Sequence, residues 1–237
     1  MGIINATPDS FAPESRYNYS LLDDKPDIVD LGAVSSRPGA ADVSEAEEWR
    51  RLEAALDVIH GRCPLSVDTF RSGIVRRVHA REGRFIVNDI YAGRQDEAML
   101  DTVAELGLGY IAMHMRGTPG TMDSLCDYGA GGIMEELKNF FGEFSLKATR
   151  SGISDWILDP GLGFAKTTEQ NFEILERLEE LRVFGRPILI GAADKRFTGG
   201  KTEEVHLLAL RHGADILRVH NVPAARATIE AAAALTY

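Results

Sequence analysis

Cysteine is scarce in this chain. Cys63 and Cys126 are the only two among 237 residues, too few for a disulfide framework and without the neighbouring Cys or His of a zinc site. Both read as structural residues of a protein kept in a reducing cytoplasm. Long apolar runs are missing too: no stretch approaches the roughly eighteen consecutive residues of a membrane span. The opening MGIINATPDSF lacks the charged and apolar segments of a secretory leader. Positive charge is in the minority, with 26 Lys and Arg against 36 Asp and Glu and a formal net charge of −10. That field repels a phosphate backbone and speaks against general nucleic-acid binding. Any anionic ligand must be held by a local positive cluster. There is no Gly-x-x-x-x-Gly-Lys-Ser/Thr loop and no Ser/His/Asp hydrolase signature.

What remains suits one domain over residues 1–237, of a length common for single α/β barrels. Hydrophobic residues make up 44%, enough for a sizeable core. Short apolar runs predict strands over Gly2–Asn5, Asp27–Gly32, Leu65–Asp68, Phe85–Asn88, Tyr110–His114, Trp156–Asp159, Ile188–Gly191 and Ile216–His220. Helical periodicity falls between them, over Ser44–Ile59, Arg71–Ala80, Asp96–Leu106, Gly131–Arg150, Thr168–Phe184, Thr202–His212 and Val222–Leu235. Ser44 with Glu47 three residues on has the capping-box pattern. Gly107, Gly152, Gly185 and Gly213 stand where helices should stop. The first crossover is anomalous: Pro8, Pro13 and Pro26 leave room for a turn or two of helix around Tyr19–Asp24.

Alternation of this kind fits a TIM (β/α)8 barrel or a doubly wound sheet, and the polar residues decide between them. Asn5, Asp68, Asn88, His114, Asp159 and His220 lie at the carboxyl ends of their strands, with Arg218 just inside the last and Lys195 in the loop after the seventh. A closed barrel gathers all those ends at one mouth; an open sheet spreads them along an edge. The sequence therefore predicts a TIM barrel with a shortened first β-α crossover.

Asp68, Asn88 and Asp159 at such a mouth suit a nitrogen heterocycle, because a carboxylate accepts two parallel hydrogen bonds from a guanidine-like edge and an amide both donates and accepts. A single strand-end Asp equally well caps the following helix; three strand ends repeating the pattern favour a site. Arg37, Lys195, Arg218 and His220 suit a phosphate or pyrophosphate. Arg37 and Lys195 also fit solvated loop charges, and His220 fits a core histidine. The glycines of DPGLGFAKT let the backbone approach a flat ligand, with Phe164 as an apolar face. Asn5 with Asp9 offers oxygen to a hard cation such as Mg²⁺.

Seven segments in order, MGIINATPDSF, DIVDLGAVSSRPGA, LSVDTFRSGIVRRV, IVNDIYAGRQDEAML, AELGLGYIAMHMRGTP, ILDPGLGFAKT and ILRVH, resemble dihydropteroate synthase nearly end to end. The resemblance implies a TIM barrel that joins 6-hydroxymethyl-7,8-dihydropterin pyrophosphate to p-aminobenzoate, with Mg²⁺, as a homodimer. It also implies that sulfonamides, which mimic p-aminobenzoate, are inhibitors. By the same resemblance Asp68, Asn88, Asp159 and Lys195 match pterin-pocket residues and Met113 an apolar pocket wall. Asn5 matches the Mg²⁺ ligand, and Arg218 with His220 the pyrophosphate pair. Ser36, Arg37 and Pro38 match a loop over the p-aminobenzoate site, with Phe164 lining it. The chain departs from the family at Val34, Asp194, Arg196 and Asn221 and in the lengths of its first and seventh crossovers. Those departures keep one rival in view, a pterin-binding relative without catalysis; a second, a pterin-dependent methyltransferase, shares the carboxylate–amide pocket but would not need Lys195, Arg37 or the pyrophosphate pair.

Overall fold

The computed structural model describes residues 1–7, 17–35, 42–193 and 195–234. Among them eight parallel strands run in chain order: β1 (Gly2–Asn5), β2 (Val29–Gly32), β3 (Leu65–Asp68), β4 (Ile86–Asp89), β5 (Gly109–Met113), β6 (Trp156–Asp159), β7 (Leu189–Ile190) and β8 (Ile216–Leu217). The first six form one sheet in sequential order, and β7 pairs with β8. Two seams close the cylinder. Leu158 N donates to Pro187 O at 2.9 Å, and Ile3 N donates to Val219 O at 2.9 Å. The closed barrel follows the predicted topology; the last two strands are shorter than expected, and beyond them Ile188 and Val219 pair only as single bridges, with Leu158 and Gly2.

The pleat sorts the strand side chains into two environments. One set faces the helices: Ile4, Val29, Leu31, Val67, Val87, Tyr110, Ala112, Trp156, Leu158, Ile188, Ile190, Leu217 and Val219 all belong to the main core. The alternate set faces the lumen. Ile111, Ile157 and Leu189 form a small apolar plug there, with Met1, Ile86 and Ile216 against it. The lumen-facing register positions nearer the carboxyl ends, Asp30, Ser66, Asp68, Asn88, Asp159 and Arg218, are polar. The lumen thus changes from dry to charged within about two residues of strand.

Among the described residues, seven helices ring the barrel: α1 (Glu45–Ile59), α2 (Ser72–Glu82), α3 (Met99–Glu105), α4 (Gly132–Ser151), α5 (Thr168–Glu176), α6 (Thr202–Arg211) and α7 (Val222–Ala234). The described part of the first crossover holds a 3-10 turn, Tyr19–Asp24, as its composition predicts. Ser44 caps α1 by accepting from Glu47 N at 3.2 Å, but the reciprocal half of the box is absent: Glu47 turns to Arg50 and Arg51. The complete box is Thr167 with Gln170, at the start of α5. The helix expected over Thr168–Phe184 breaks at Arg177 and continues as a 3-10 segment, Leu178–Phe184, which buries Leu178 and Leu181. Helix α3 starts three residues later than expected. Asp96 accepts from Ser72 N at 2.7 Å, so it serves the exposed amino end of α2, and from Ala98 N at 2.9 Å.

Candidate active site

At the carboxyl end of the barrel, β1, β2 and β3 bring Asn5, Gly32 and Asp68 level. A side chain at Gly32 would stand 3.4 Å from Asp68 Cβ and 3.7 Å from Asn5 Oδ1. The glycine therefore leaves the space between those two polar groups open. One position deeper sits Asp30, fully buried. Its Oδ1 accepts from Ser66 Oγ at 2.6 Å, and its Oδ2 accepts from Asn88 Nδ2 at 3.0 Å and from Arg218 Nε at 2.6 Å. The other edge of Arg218 donates from Nη2 to Asp68 Oδ2 at 3.0 Å. Asn88 and Arg218 thus share a carboxylate that their own sequence motifs do not contain, and Arg218 carries the link on to Asp68.

This arrangement settles how Asn88 is turned. With Nδ2 donating to Asp30, the amide keeps its oxygen available to a ligand. Its neighbour Asp89 points the other way and belongs to the scaffold: Tyr110 Oη, Tyr91 N and Gly93 N all donate to it at 2.7–2.8 Å. Burial raises the Asp68 carboxyl above its usual range, against the pull of Arg218.

On the opposite wall, Asp159 ends β6 and accepts from Gly161 N at 2.8 Å. Burial raises it, while Lys195, that backbone N–H and Arg218 pull it down. Lys195 follows β7; burial lowers its ammonium to about 8, with Asp159 opposing. Its Nζ donates to Leu162 O and lies 4.6 Å from the centre of the Phe164 ring, a cation–π distance. Phe164 and Tyr91 pack on a second apolar cluster of Ile90, Met113, Met115, Met122 and Ala165. Met113, expected as an apolar pocket wall, and Phe164, expected to line the p-aminobenzoate site, therefore share one apolar cluster.

Other sequence-predicted residues fall differently. His220 follows β8 at the rim, half-buried. His114 is turned away from the lumen: it is buried behind the wall, against Glu136 and Lys166. Arg196 is 93% exposed and reaches toward Asp123 at 3.8 Å. Ser36, Arg37, Pro38, Asp9 and Asp194 lie outside the described residues. Among the described residues no group of three or more His, Cys, Asp or Glu could hold a metal ion. Asp30 is the residue that sequence reasoning missed. Its one signal is an acid inside the apolar run IVDLG at lumen parity.

A parallel barrel with buried carboxylates, an amide and cations at its carboxyl mouth has the form of a barrel-enzyme site suited to a small polar molecule. Comparison with known proteins agrees: residues 1–220 match the model of the pterin binding enzyme family, and the chain belongs to that family. Within it, the chain stands among the dihydropteroate synthases. It is 35% identical over 249 residues to the dihydropteroate synthase of Synechocystis sp., covering 94% of this chain and 85% of that protein. It is 38% identical over 251 residues to the folic acid synthesis protein fol1 of Pneumocystis carinii, covering 94% of this chain but 34% of that longer protein. The crystal structure of dihydropteroate synthase from Thermus thermophilus in complex with 4-aminobenzoate superposes with a TM-score of 0.85 and 33% identity, covering 99% of this chain and 93% of that one.

Proposed function

We propose that the chain condenses 6-hydroxymethyl-7,8-dihydropterin pyrophosphate with p-aminobenzoate, giving 7,8-dihydropteroate and pyrophosphate in folate biosynthesis. The observation that carries this reading is the single mouth where Asp30 holds Asn88 and Arg218, and Arg218 in turn holds Asp68, facing Asp159 and Lys195. Carboxylate and amide edges suit the N–H donors and acceptors of a pterin. The apolar surface of Met113 and Phe164 suits its flat face and that of the arylamine.

No side chain of the site is needed as a nucleophile. The C–O bond between the pterin methylene and pyrophosphate breaks, and its electron pair leaves with pyrophosphate. The amine lone pair of p-aminobenzoate then attacks the methylene carbon, and the new ammonium loses a proton. Buried carboxylates stabilise the cation that develops on the pterin, and nearby cations stabilise the leaving group. Lys195 and His220 are assigned to that anionic side, with Ser36, Arg37 and Pro38 over the arylamine. Arg218 holds Asp30 and Asp68 in place, and its charge also favours the pyrophosphate.

Mg²⁺ fits this donor set. The Asn5 amide oxygen sits level with Asp68, and few protein ligands suit a cation held mainly by phosphate oxygens and water. When bound it neutralises charge on pyrophosphate. The proposal also includes a homodimer in the cytoplasm; among the described residues no helix is long and apolar enough to cross a membrane.

Incubation with the pterin pyrophosphate, p-aminobenzoate and Mg²⁺, followed by mass spectrometry, is expected to show dihydropteroate. Pterin binding without pyrophosphate release would refute the reading and favour a non-catalytic binder. Methyl transfer instead would favour the methyltransferase, a reaction that leaves Lys195 without a task.

A further inference from the structure

Lys166 takes no part in the chemistry above, yet it is one of the few buried cationic side chains among the described residues. Its Nζ lies 2.9 Å from Phe164 O, 3.0 Å from Gly161 O, 3.0 Å from His114 Nδ1 and 3.4 Å from His114 O. As an ammonium it offers three N–H donors to four acceptors, so no donor is stranded; burial lowers it to about 7, with Asp159 opposing. Two of those carbonyls belong to the turn after β6. Gly161, Gly163 and Ala165 there have φ of +66°, +75° and +50°, a conformation with little backbone bonding of its own beyond Phe164 N to Gly161 O at 3.1 Å. Side chains supply the rest. Asn171 Oδ1 accepts from Gly163 N at 2.7 Å, and Tyr128 Oη donates to Ala165 O at 2.7 Å.

The same turn carries both supports of Lys195, namely Leu162 O and the Phe164 ring. We propose that Lys166 is a positioning residue for Lys195: by fixing the carbonyls of Gly161 and Phe164, it sets where the turn presents Leu162 O and the ring on which the Lys195 ammonium rests. Behind it stands a second line of residues. His114 accepts from Lys166 at Nδ1, which leaves its Nε2–H to face Glu136 Oε1 at 3.4 Å. Glu136 is held by Arg116 at 2.8 Å, and Arg116 lies 4.2 Å over the ring of Tyr128. The circuit returns to the turn through the Tyr128 hydroxyl. Burial lowers His114 to about 3, which keeps it the neutral acceptor the geometry requires. The inference rests on the reading of Lys195 as a ligand-binding group in the proposed reaction.

The test is a double-mutant cycle on kcat/KM for the pterin pyrophosphate, because coupled residues fail to add where merely destabilising ones do not. Lys166→Met keeps the length and apolar bulk and removes the donors. It is expected to lower kcat/KM by roughly tenfold or more, as small displacements of positioned groups do. In a Lys195→Ala background the same change is expected to cost less than about threefold. Hydrogen exchange at Gly163 and Phe164 is expected to quicken by about tenfold in Lys166→Met. Additive losses, or a Lys166→Met protein with parental kinetics, would overturn the proposal. Should Lys166→Met not fold, Lys166→Arg enters the same cycle, with a smaller loss and the same non-additivity expected. If the parent makes no dihydropteroate, the functional reading fails by itself. The cycle is then read on affinity for the pterin pyrophosphate, by the same criterion.

Discussion

Arg218 and Asp30, 188 residues apart, meet at 2.6 Å inside the barrel lumen. The bond joins the last strand to the second, and it puts a full positive charge directly beneath Asn88 and Asp68. Breaking one partner of a buried pair commonly costs about 3–5 kcal/mol. Because Asp68 still holds Arg218, Asp30→Ala is expected to lower unfolding stability by about 3 kcal/mol, measured by urea denaturation. It also frees the Asn88 amide to rotate, so pterin affinity should fall about tenfold or more by fluorescence titration. A variant as stable as the parent would contradict the role given to Asp30.

Lys195 sets an alkaline limit on substrate capture. Burial lowers it to about 8, so the free enzyme loses this charge as the pH rises through that value, and kcat/KM reports the free enzyme. The expected profile for the pterin pyrophosphate declines above about pH 8. In Lys195→Arg the charge persists, and the decline should vanish even where the rate is lower. A decline unchanged in that variant would assign it to another group.

His114 makes the fold acid-sensitive. The folded protein keeps it neutral down to about 3, whereas the unfolded chain takes up the proton near its ordinary value of about 6.5. Its contribution is complete above about 6.5 and is lost as the pH falls toward 3, at up to about 1.4 kcal/mol per pH unit. His206, lowered to about 4, acts in the same direction. Urea unfolding between pH 7 and 5 should therefore show a shallower loss for His114→Gln than for the parent, with His206 common to both. Equal slopes would show that His114 does not titrate on unfolding.

Two glycines with similar backbone angles should respond very differently to alanine. Gly161 has φ +66°, and an added Cβ would lie 2.1 Å from His114 O. Gly200 has φ +82° with nothing within 4 Å of that position. Gly200→Ala is expected to cost about 1 kcal/mol, the conformational penalty alone. Gly161→Ala is expected to cost more than about 3 kcal/mol or to prevent folding, since backbone must move. Thermal melts of the two variants check the contrast.

The barrel was legible because polar residues recur at the carboxyl ends of short apolar strands, a regularity that a closed barrel gathers into one mouth. Helix limits were less so. Asp96 looks like the start of its own helix, but its carboxylate is shared with the amino end of α2. That partnership joins residues 24 apart, and no local pattern records it. The break at Arg177 likewise carries no Gly or Pro. Within the site, Asp68, Asn88, Asp159 and Lys195 were readable from position. Asp30 was not, since one acid in a strand has no visible purpose until Ser66, Asn88 and Arg218 surround it. The same holds for Lys166, a lysine in a loop whose acceptors are mostly main-chain carbonyls, and those leave no trace in sequence.

The seam between β1 and β8 has a consequence for biosynthesis. A nascent chain that has emerged only through β7 already carries Asp30 and Asp68 on adjoining strands, two acids with no guanidinium between them. Arg218 arrives with the strand that shuts the cylinder. Docking of that strand therefore closes the cylinder and supplies, in one event, the single guanidinium that both acids share.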